Sequence, residues 1–314
     1  SHFAGSQRYA AIWTGDCIAD WPYLLASFQE CLNANLLGIV FCGADVAGFI
    51  QNPDDELYQR WYQAGAWLPF FRAHSNKDAE RREPYLKSED VQQVVRNAIQ
   101  TRYKHLPVWY TLFYQHTRDR DPIIRPLFYH YPEDTNVYQI DNQILVGSDI
   151  LVRAVTEPGV SSVQVYFPGG ASEFWVSAEG SEVFAGNGFA EVPVDIQSIP
   201  VFYRRQSVIV RKDTVRKNTA EMAQDGFTLY VTLDAYNRSY GILYLDDNTS
   251  FNYRDSADYN YIEIIVHDYM YKEVTKIPKG NEAGSYKNVV YTRDASGNLL
   301  KDIKINAREE TVIN

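Results

Sequence analysis

At 314 residues, 45% of them hydrophobic and 22% charged, the chain is long enough for two or three domains with buried cores, and it is not a disordered polymer. Its formal net charge of -10 argues against a phosphate-backbone ligand, which recruits clustered Lys and Arg, and no apolar run approaches the roughly 20 residues that cross a bilayer. Neither nucleic-acid binding nor membrane insertion is therefore expected, and three cysteines are too few for a disulfide scaffold.

The first third alternates strand and helix. "RYAAIWTGD", Arg8 to Asp16, reads as a strand that finishes on Trp13, Gly15 and the carboxylate of Asp16. An aspartate behind a glycine is ordinarily a turn or cap residue, and in this position it is also a candidate acid. Asp20 can cap a helix with Pro22 in its first turn, and Trp21, Leu24, Leu25, Phe28 and Leu32 recur at helical spacing until Gly38 stops it. "LLGIVFCGADVAGF" is a continuous apolar run, as in a strand buried on both faces, and it too ends in a glycine, a small residue and a carboxylate, Asp45. Asn52 followed by Pro53 and acidic residues predicts the next helix start. That helix leads into "LPFFRAHSN", a short strand ending at Arg72 and His74. Ser88 opens a third helix with a stripe of Val91, Val94, Val95, Ala98 and Ile99, and Pro107 kinks or divides the run beyond it. Three strand–helix units in succession predict a parallel α/β architecture.

From about Pro122 the texture changes to short alternating strands, "NQILVGSDILVRAV", "SSVQVYFPGG", "SEFWV", "AEVPVDI" and "IPVFYRRQSVIVRK", with turns expected at Pro158-Gly159 and Pro168-Gly169. This reads as an antiparallel sandwich. After a polar break at Lys217 to Asp225 come "FTLYVTLDA", "YGILYLDD", "TSFNYR" and "YNYIEIIVHD", a second β-rich stretch; the last thirty residues read as strand or ragged tail. The basic segment from Arg204 to Lys217 reads as a strand followed by a solvated loop. The expected domains are residues 1–122, 123–213 and 214–314. Cys31 near the end of a helix and Cys42 at the end of the following strand have a spacing that allows a bridge, with two reduced buried thiols the alternative, and Cys17 is left over. Sequons at Asn237 and Asn248 permit glycosylation in a secretory setting.

In a parallel barrel, functional groups collect where strands run out at their carboxyl ends. Three successive strands deliver Trp13 and Asp16, then Asp45 and Phe49, then Arg72 and His74 to one face. Carboxylates, an imidazole, a guanidinium and flat rings suit a sugar pocket, because hydroxyls take charged hydrogen-bond partners while the apolar face of the sugar ring stacks on aromatics. Each member has a plainer reading: Asp45 as a turn carboxylate, Arg72 as its ion-pair partner, His74 as a structural histidine, Trp13 and Phe49 as core. A metal site is disfavoured because the six histidines are scattered, and no nucleophile elbow supports a serine hydrolase.

"FAGSQRYAAIWTGD", "FCGADVAGF", "FFRAH" and "RREPYL" together resemble the second half of α-glucosidases of glycoside hydrolase family 31. The likeness is strong from Phe3 to about Pro132, fair through "SDILVRAV" and "IPVF" to about Val210, and thin beyond. "YRRQSVIV" departs from the Arg-Gly-Gly usual in the family, at a turn of the sandwich. The resemblance implies the last strands and helices of a (β/α)8 TIM barrel followed by proximal and distal β-sandwich domains. It implies Asp16 as general acid/base, Trp13 and Phe49 walling the subsite for the cleaved glucose, His74 hydrogen-bonding that sugar, and Asp45 supporting the wall.

The family's nucleophilic carboxylate lies on an earlier strand in a Trp-Asn-Asp-Met-type segment that this sequence lacks. The family's substrate-binding arginine would immediately precede Ser1, so the chain is expected to be the C-terminal piece of a nicked enzyme, bound to its N-terminal fragment. The branch of the family most resembled trims terminal α-1,3-linked glucose from N-linked glycans in the endoplasmic-reticulum lumen. This implies an N-glycan or α-glucoside substrate, a regulatory lectin-like β subunit and no cofactor. An oxidising lumen adds weight to a Cys31–Cys42 bridge. The competing expectations are a non-catalytic carbohydrate-binding protein and another activity of the family, such as α-xylosidase.

Overall fold

The computed structural model describes residues 2–180, 182–236 and 238–267, with the strand backbones of 270–271, 275–276 and 304–305 beyond them. The sequon at Asn237 and nearly all of the last thirty residues lie outside the described residues. The chain divides into two units, Ser1–Arg102 with Asp119–Trp175 and Phe184–Phe202, and Tyr103–Arg118 with Val176–Val183 and Tyr203–Asn314.

In the first unit, β1 (Ile12–Trp13), α1 (Trp21–Leu36), β2 (Cys42–Gly43), β3 (Asp45–Val46), α2 (Asp55–Gly65), β4 (Arg72–Ala73) and α3 (Glu89–Lys104) follow one another. β1 pairs in parallel with β2, Ile12 opposite Cys42 and Trp13 opposite Gly43, and β3 pairs in parallel with β4, Asp45 opposite Arg72 and Val46 opposite Ala73. β2 and β3 are two halves of one strand interrupted at Ala44, so three adjacent parallel strands run in the order of the sequence. They are a piece of a TIM barrel whose sheet does not close within this chain.

The helices form where capping and spacing dictate. Asp20 accepts the Trp21 N–H at 2.8 Å to start α1, which buries Leu24, Phe28, Cys31 and Leu32 and stops short of Gly38 at φ 80°. Cys31 in its last turns is disulfide-bonded to Cys42 on β2, with Cα atoms 5.4 Å apart. α2 is capped by Asp54, whose carboxylate accepts the Leu57 N–H at 2.8 Å, and not by Asn52. An ionised cap also complements the helix dipole, and the Asn52 side chain is occupied elsewhere, accepting the Glu80 N–H at 2.9 Å. α3 follows Ser88 and buries Val91, Val94, Val95 and Ala98, while Arg102 near its end donates to the carbonyls of Ala66, Leu68 and Pro69. The helical run breaks before α4 (Leu106–Asp119), with Pro107 in the first turn of the new helix.

The β part begins with β5 (Ile124–Arg125), β6 (Gln143–Val146), β7 (Ile150–Arg153), β8 (Ser162–Ser177), β9 (Val183–Pro193) and β10 (Val201–Arg204), in the sheet order β5-β6-β7-β10-β8-β9. Leu145, Leu151, Val165, Phe167, Trp175 and Phe202 form its core. Pro168-Gly169 is not the turn expected from sequence but lies inside the 16-residue β8. Gly169 takes φ 109°, and a Cβ there would lie 2.6 Å from the Glu173 side chain, so the pair bends a continuous strand rather than ending it.

The other sheet contains β11 (Ser207–Arg211), β12 (Phe227–Thr232), β13 (Arg238–Leu245), β14 (Asn260–His267), β15 (Met270–Tyr271), β16 (Thr275–Lys276) and β17 (Lys304–Ile305). α5 (Thr219–Met222) fills the polar break before β12, capped by Asn218. "TSFNYR" is not a strand: Asn252–Asp255 forms α6, started by an aspartate turn in which Asp247 accepts from the N–H groups of Thr249 and Ser250. Where the family has glycines, Arg205 and Gln206 still make the turn between β10 and β11, with Gln206 in the left-handed region at φ 60°. The basic stretch is, as expected, a strand (β11) followed by a loop exposed from Thr214 to Lys217, with only Arg211 and Lys212 at its start buried. Arg211 donates to Tyr203 and Asp213 and lies over the Tyr230 ring, and Lys212 donates to the carbonyls of Met222 and Ala223. Among the described residues no helix is long and apolar enough to cross a membrane.

Candidate active site

Register sets Asp45 opposite Arg72 and Trp13 opposite Gly43, and the loops beyond β1, β3 and β4 carry the remaining candidates, so the site falls into two layers. The lower layer is Trp13, Asp45 and Arg72. Asp45 is fully buried and ion-paired with the Arg72 guanidinium, whose side chain is 39% exposed. That guanidinium lies 5.8 Å from the centroid of the Trp13 ring and 5.3 Å from that of Phe70, within cation–π range of both. Trp13 is itself 46% exposed, so it is not the core residue of the plainer reading. Asp45 Oδ2 and Arg72 Nε are buried with no hydrogen-bond partner among the described residues. Such atoms are costly to leave unsatisfied, by about 1–3 kcal/mol each.

The upper layer is built by the loops after β1, β3 and β4. After β3 the chain turns sharply, with the Gly48 N–H on the Asp45 carbonyl at 2.9 Å and left-handed backbone at Ala47 (φ 75°), Gly48 (φ 79°) and Gln51 (φ 68°). Gly48 cannot be replaced without displacement, because a Cβ there would lie 2.4 Å from Ala19 Cα. Left-handed backbone costs an L-residue about 1–2 kcal/mol, which the surroundings of Ala47 and Gln51 must offset. The Phe49 and Ile50 N–H groups donate to the Cys17 carbonyl at 2.7 and 3.0 Å, and Ala19 donates back to Ile50 at 2.8 Å. The loop that carries Phe49 is thereby tied to the loop that carries Asp16. Phe49 and His74 meet ring to ring, centroids 5.3 Å apart and planes at 33°, with Phe49 half-buried and His74 exposed.

Asp16 follows Gly15, which has φ 81°, and is exposed. No described residue hydrogen-bonds its carboxylate. The adjacent Cys17 is buried, and its Sγ points to the Asp45 carbonyl at 3.8 Å. Burial pushes this thiol above its ordinary range, and the Asp45 charge acts in the same direction.

One residue of this site lies within the family-like "RREPYL" but is not singled out by it. The Arg82 guanidinium donates to the carbonyls of Ala47 at 3.0 Å, Gln51 at 3.3 Å and His74 at 3.1 Å, and also to Gly48. It is one of several basic residues in "RREPYL" and its surroundings, and contacts to backbone carbonyls leave no pattern in a sequence.

Comparison with known proteins identifies the family. A family model described as the glycosyl hydrolases family 31 TIM-barrel domain matches residues 1–112, and one described as the glycosyl hydrolase family 31 C-terminal domain matches residues 120–209. Neutral alpha-glucosidase AB of Sus scrofa and of Homo sapiens are each 44% identical to the chain over 257 residues, which is 82% of this chain and 27% of theirs. Among solved structures, the catalytic subunit of ER glucosidase II in complex with the binding domain of its regulatory subunit superposes with a TM-score of 0.82 at 39% identity, over 85% of this chain and 29% of that one. The α3-Glc2-bound glucosidase II alpha subunit gives 0.81 at 40% identity, over 84% and 29%. The chain thus spans less than a third of the length of these relatives. Two family models in succession, and relatives aligned across four-fifths of its length, show that the chain belongs to glycoside hydrolase family 31.

Proposed function

We propose that the chain supplies the acid/base half of a retaining exo-α-glucosidase, with the nucleophilic carboxylate provided by polypeptide upstream of Ser1. The observation that carries this reading is the exposed carboxylate of Asp16, three residues beyond Trp13 at the end of β1, on a loop that the Cys17 carbonyl ties to the loop of Phe49. A retaining glycosidase needs two carboxyl groups about 5–5.5 Å apart, one attacking the anomeric carbon while the other protonates the leaving oxygen. Asp16 donates that proton, then withdraws one from the water that releases glucose, so the α configuration is kept. Trp13 and Phe49 wall the glucose ring, and the His74 imidazole hydrogen-bonds its hydroxyls. Asp45 and Arg72 hold the floor. Acid, nucleophile and water complete the reaction without a cofactor.

The substrate class we favour is terminal α-1,3-linked glucose on N-linked glycans, because the relatives include neutral alpha-glucosidase AB and a glucosidase II subunit bound to α3-Glc2. By the same likeness, a partner is a regulatory subunit like the one whose binding domain is complexed with the ER glucosidase II catalytic subunit, and the setting is the lumen of the endoplasmic reticulum. The Cys31–Cys42 disulfide suits an oxidising compartment. Asn248 suits glycan attachment there: it is exposed on a turn at φ 59°, beside the Asp247 carboxylate, which the Ser250 hydroxyl and then the Ser250 and Thr249 N–H groups hold down at about 2.

The test is hydrolysis of an α-1,3-linked glucosyl disaccharide by the complete polypeptide, with the first-formed anomer followed by NMR. Early release of α-glucose is expected. Release of β-glucose first, or binding of the sugar without hydrolysis, overturns the reading.

A further inference from the structure

We propose that Arg82 is a positioning residue for the sugar wall: its guanidinium, beside the Asn76 N–H that donates to the Phe49 carbonyl at 3.0 Å, holds the loop after β3 to the loop after β4 and thereby sets the Phe49–His74 pair. This rests on the α-glucosidase reading for its consequence in turnover, but not for the locking itself.

The geometry is a fork laid across two loops. Nη1 is shared between the carbonyls of Ala47 and Gln51, at the two ends of the turn that presents Phe49. Nη2 is shared between Gly48 in that turn and the carbonyl of His74 itself, 3.1 Å away on the other loop. Four carbonyl dipoles converge on one cation, and three of the four belong to the segment in which Ala47, Gly48 and Gln51 are left-handed. Charge-assisted hydrogen bonds are stronger than neutral ones, so the fork holds a turn that its own residues would relax. The Arg82 backbone is anchored in turn, since the Tyr58 hydroxyl on α2 donates to the Arg82 carbonyl at 2.7 Å. Phe49 and His74 meet through their rings, with centroids 5.3 Å apart; the Asn76 N–H on the Phe49 carbonyl and the Glu80 N–H on the Asn52 side chain also join their loops, and Arg82 adds a cation that reaches the turn and the His74 carbonyl at once.

The chemistry selects arginine. Four acceptors on two loops need a planar group with donors spread over two nitrogens, whereas an ammonium has three donors on one point and cannot span them. A wall shifted by about 1 Å is enough to cost on the order of 100-fold in turnover efficiency.

The experiment compares wild type, Arg82→Met and Arg82→Lys in the complete polypeptide, by steady-state kinetics on an α-glucoside and by hydrogen exchange. Arg82→Met is expected to raise KM about 10-fold or more and to lower kcat/KM about 100-fold, since positioning loss is felt in binding as well as in the transition state. A variant that is merely less folded would lower kcat with KM unchanged. Arg82→Lys is expected to fall between, and millimolar guanidinium to restore part of the Arg82→Met activity without stimulating wild type. Exchange in peptides covering residues 47–52 and 74–76 is expected to quicken about 10-fold in Arg82→Met, with that in α1 unchanged. A KM for Arg82→Met within twofold of wild type, or unaltered exchange in both loops, overturns the proposal. If wild type hydrolyses no α-glucoside, the functional reading fails, and the exchange measurement alone then decides for or against Arg82.

Discussion

Replacing the two partners of the Asp45–Arg72 pair one at a time should give unequal losses, and the inequality comes from their burial. Arg72→Met leaves a fully buried carboxylate whose Oδ2 already has no partner, whereas Asp45→Asn leaves a guanidinium that is 39% exposed and can turn toward water. An uncompensated buried charge costs about 3–5 kcal/mol, while losing the attraction at the exposed end costs about 1 kcal/mol or less. The amide introduced by Asp45→Asn would also put one unpartnered atom where another stood, so that exchange nearly cancels. For a unit of roughly 150–250 residues, each kcal/mol shifts Tm by about 2–4 °C. Arg72→Met should therefore lower Tm by about 6–20 °C and Asp45→Asn by about 2–4 °C. The double variant should sit near Asp45→Asn, giving a coupling of about 2 kcal/mol or more in a double-mutant cycle. The assay is thermal unfolding of the complete polypeptide at one scan rate. Arg72→Met no more destabilising than Asp45→Asn would refute the assignment of the buried charge to Asp45.

Three further outcomes are expected of the same structure. Removing both Cys31 and Cys42 by substitution with Ser opens a loop with a sequence separation of 11 and should cost about 3 kcal/mol, read as a loss in Tm that dithiothreitol reproduces in wild type; a loss under about 1 kcal/mol would contradict it. Because the Cys17 thiol is pushed up and the thiolate is the nucleophile, its alkylation by iodoacetamide should stay about 10-fold or more slower in folded than in unfolded protein from pH 7 to 9, and equal rates at pH 8 would count against its burial. Protein from a secretory host should carry a glycan at Asn248, released by glycosidase with a mass label at that residue and lost in Asn248→Gln; a wholly unmodified Asn248 peptide would contradict this.

What the sequence made legible was local and periodic. Asp20 with Pro22, the valine stripe behind Ser88 and the break at Pro107 each depend on a few neighbouring residues, so their reading survives folding. Pro168-Gly169 misled because the same two residues serve a turn or a bend, and the difference is set by Glu173 and the strand beside it. "TSFNYR" misled because its alternation is overruled by the aspartate turn that precedes it. At the site, the residue types at the three strand ends could be listed from sequence, but their pairing could not. Whether Arg72 met Asp45 or a sugar depended on register. Arg82 was invisible because its partners are carbonyls, which every residue has.

The central claim is that Asp16 hands a proton to the glycosidic oxygen. It is tested most directly by Asp16→Asn in the complete polypeptide, assayed on an α-1,3-linked disaccharide, whose leaving group needs that proton, and on α-glucosyl fluoride, whose leaving group does not. The account predicts a fall of about 100- to 10,000-fold on the disaccharide, with a stoichiometric burst of fluoride still released in the first turnover. Turnover of the disaccharide within about tenfold of wild type would contradict it.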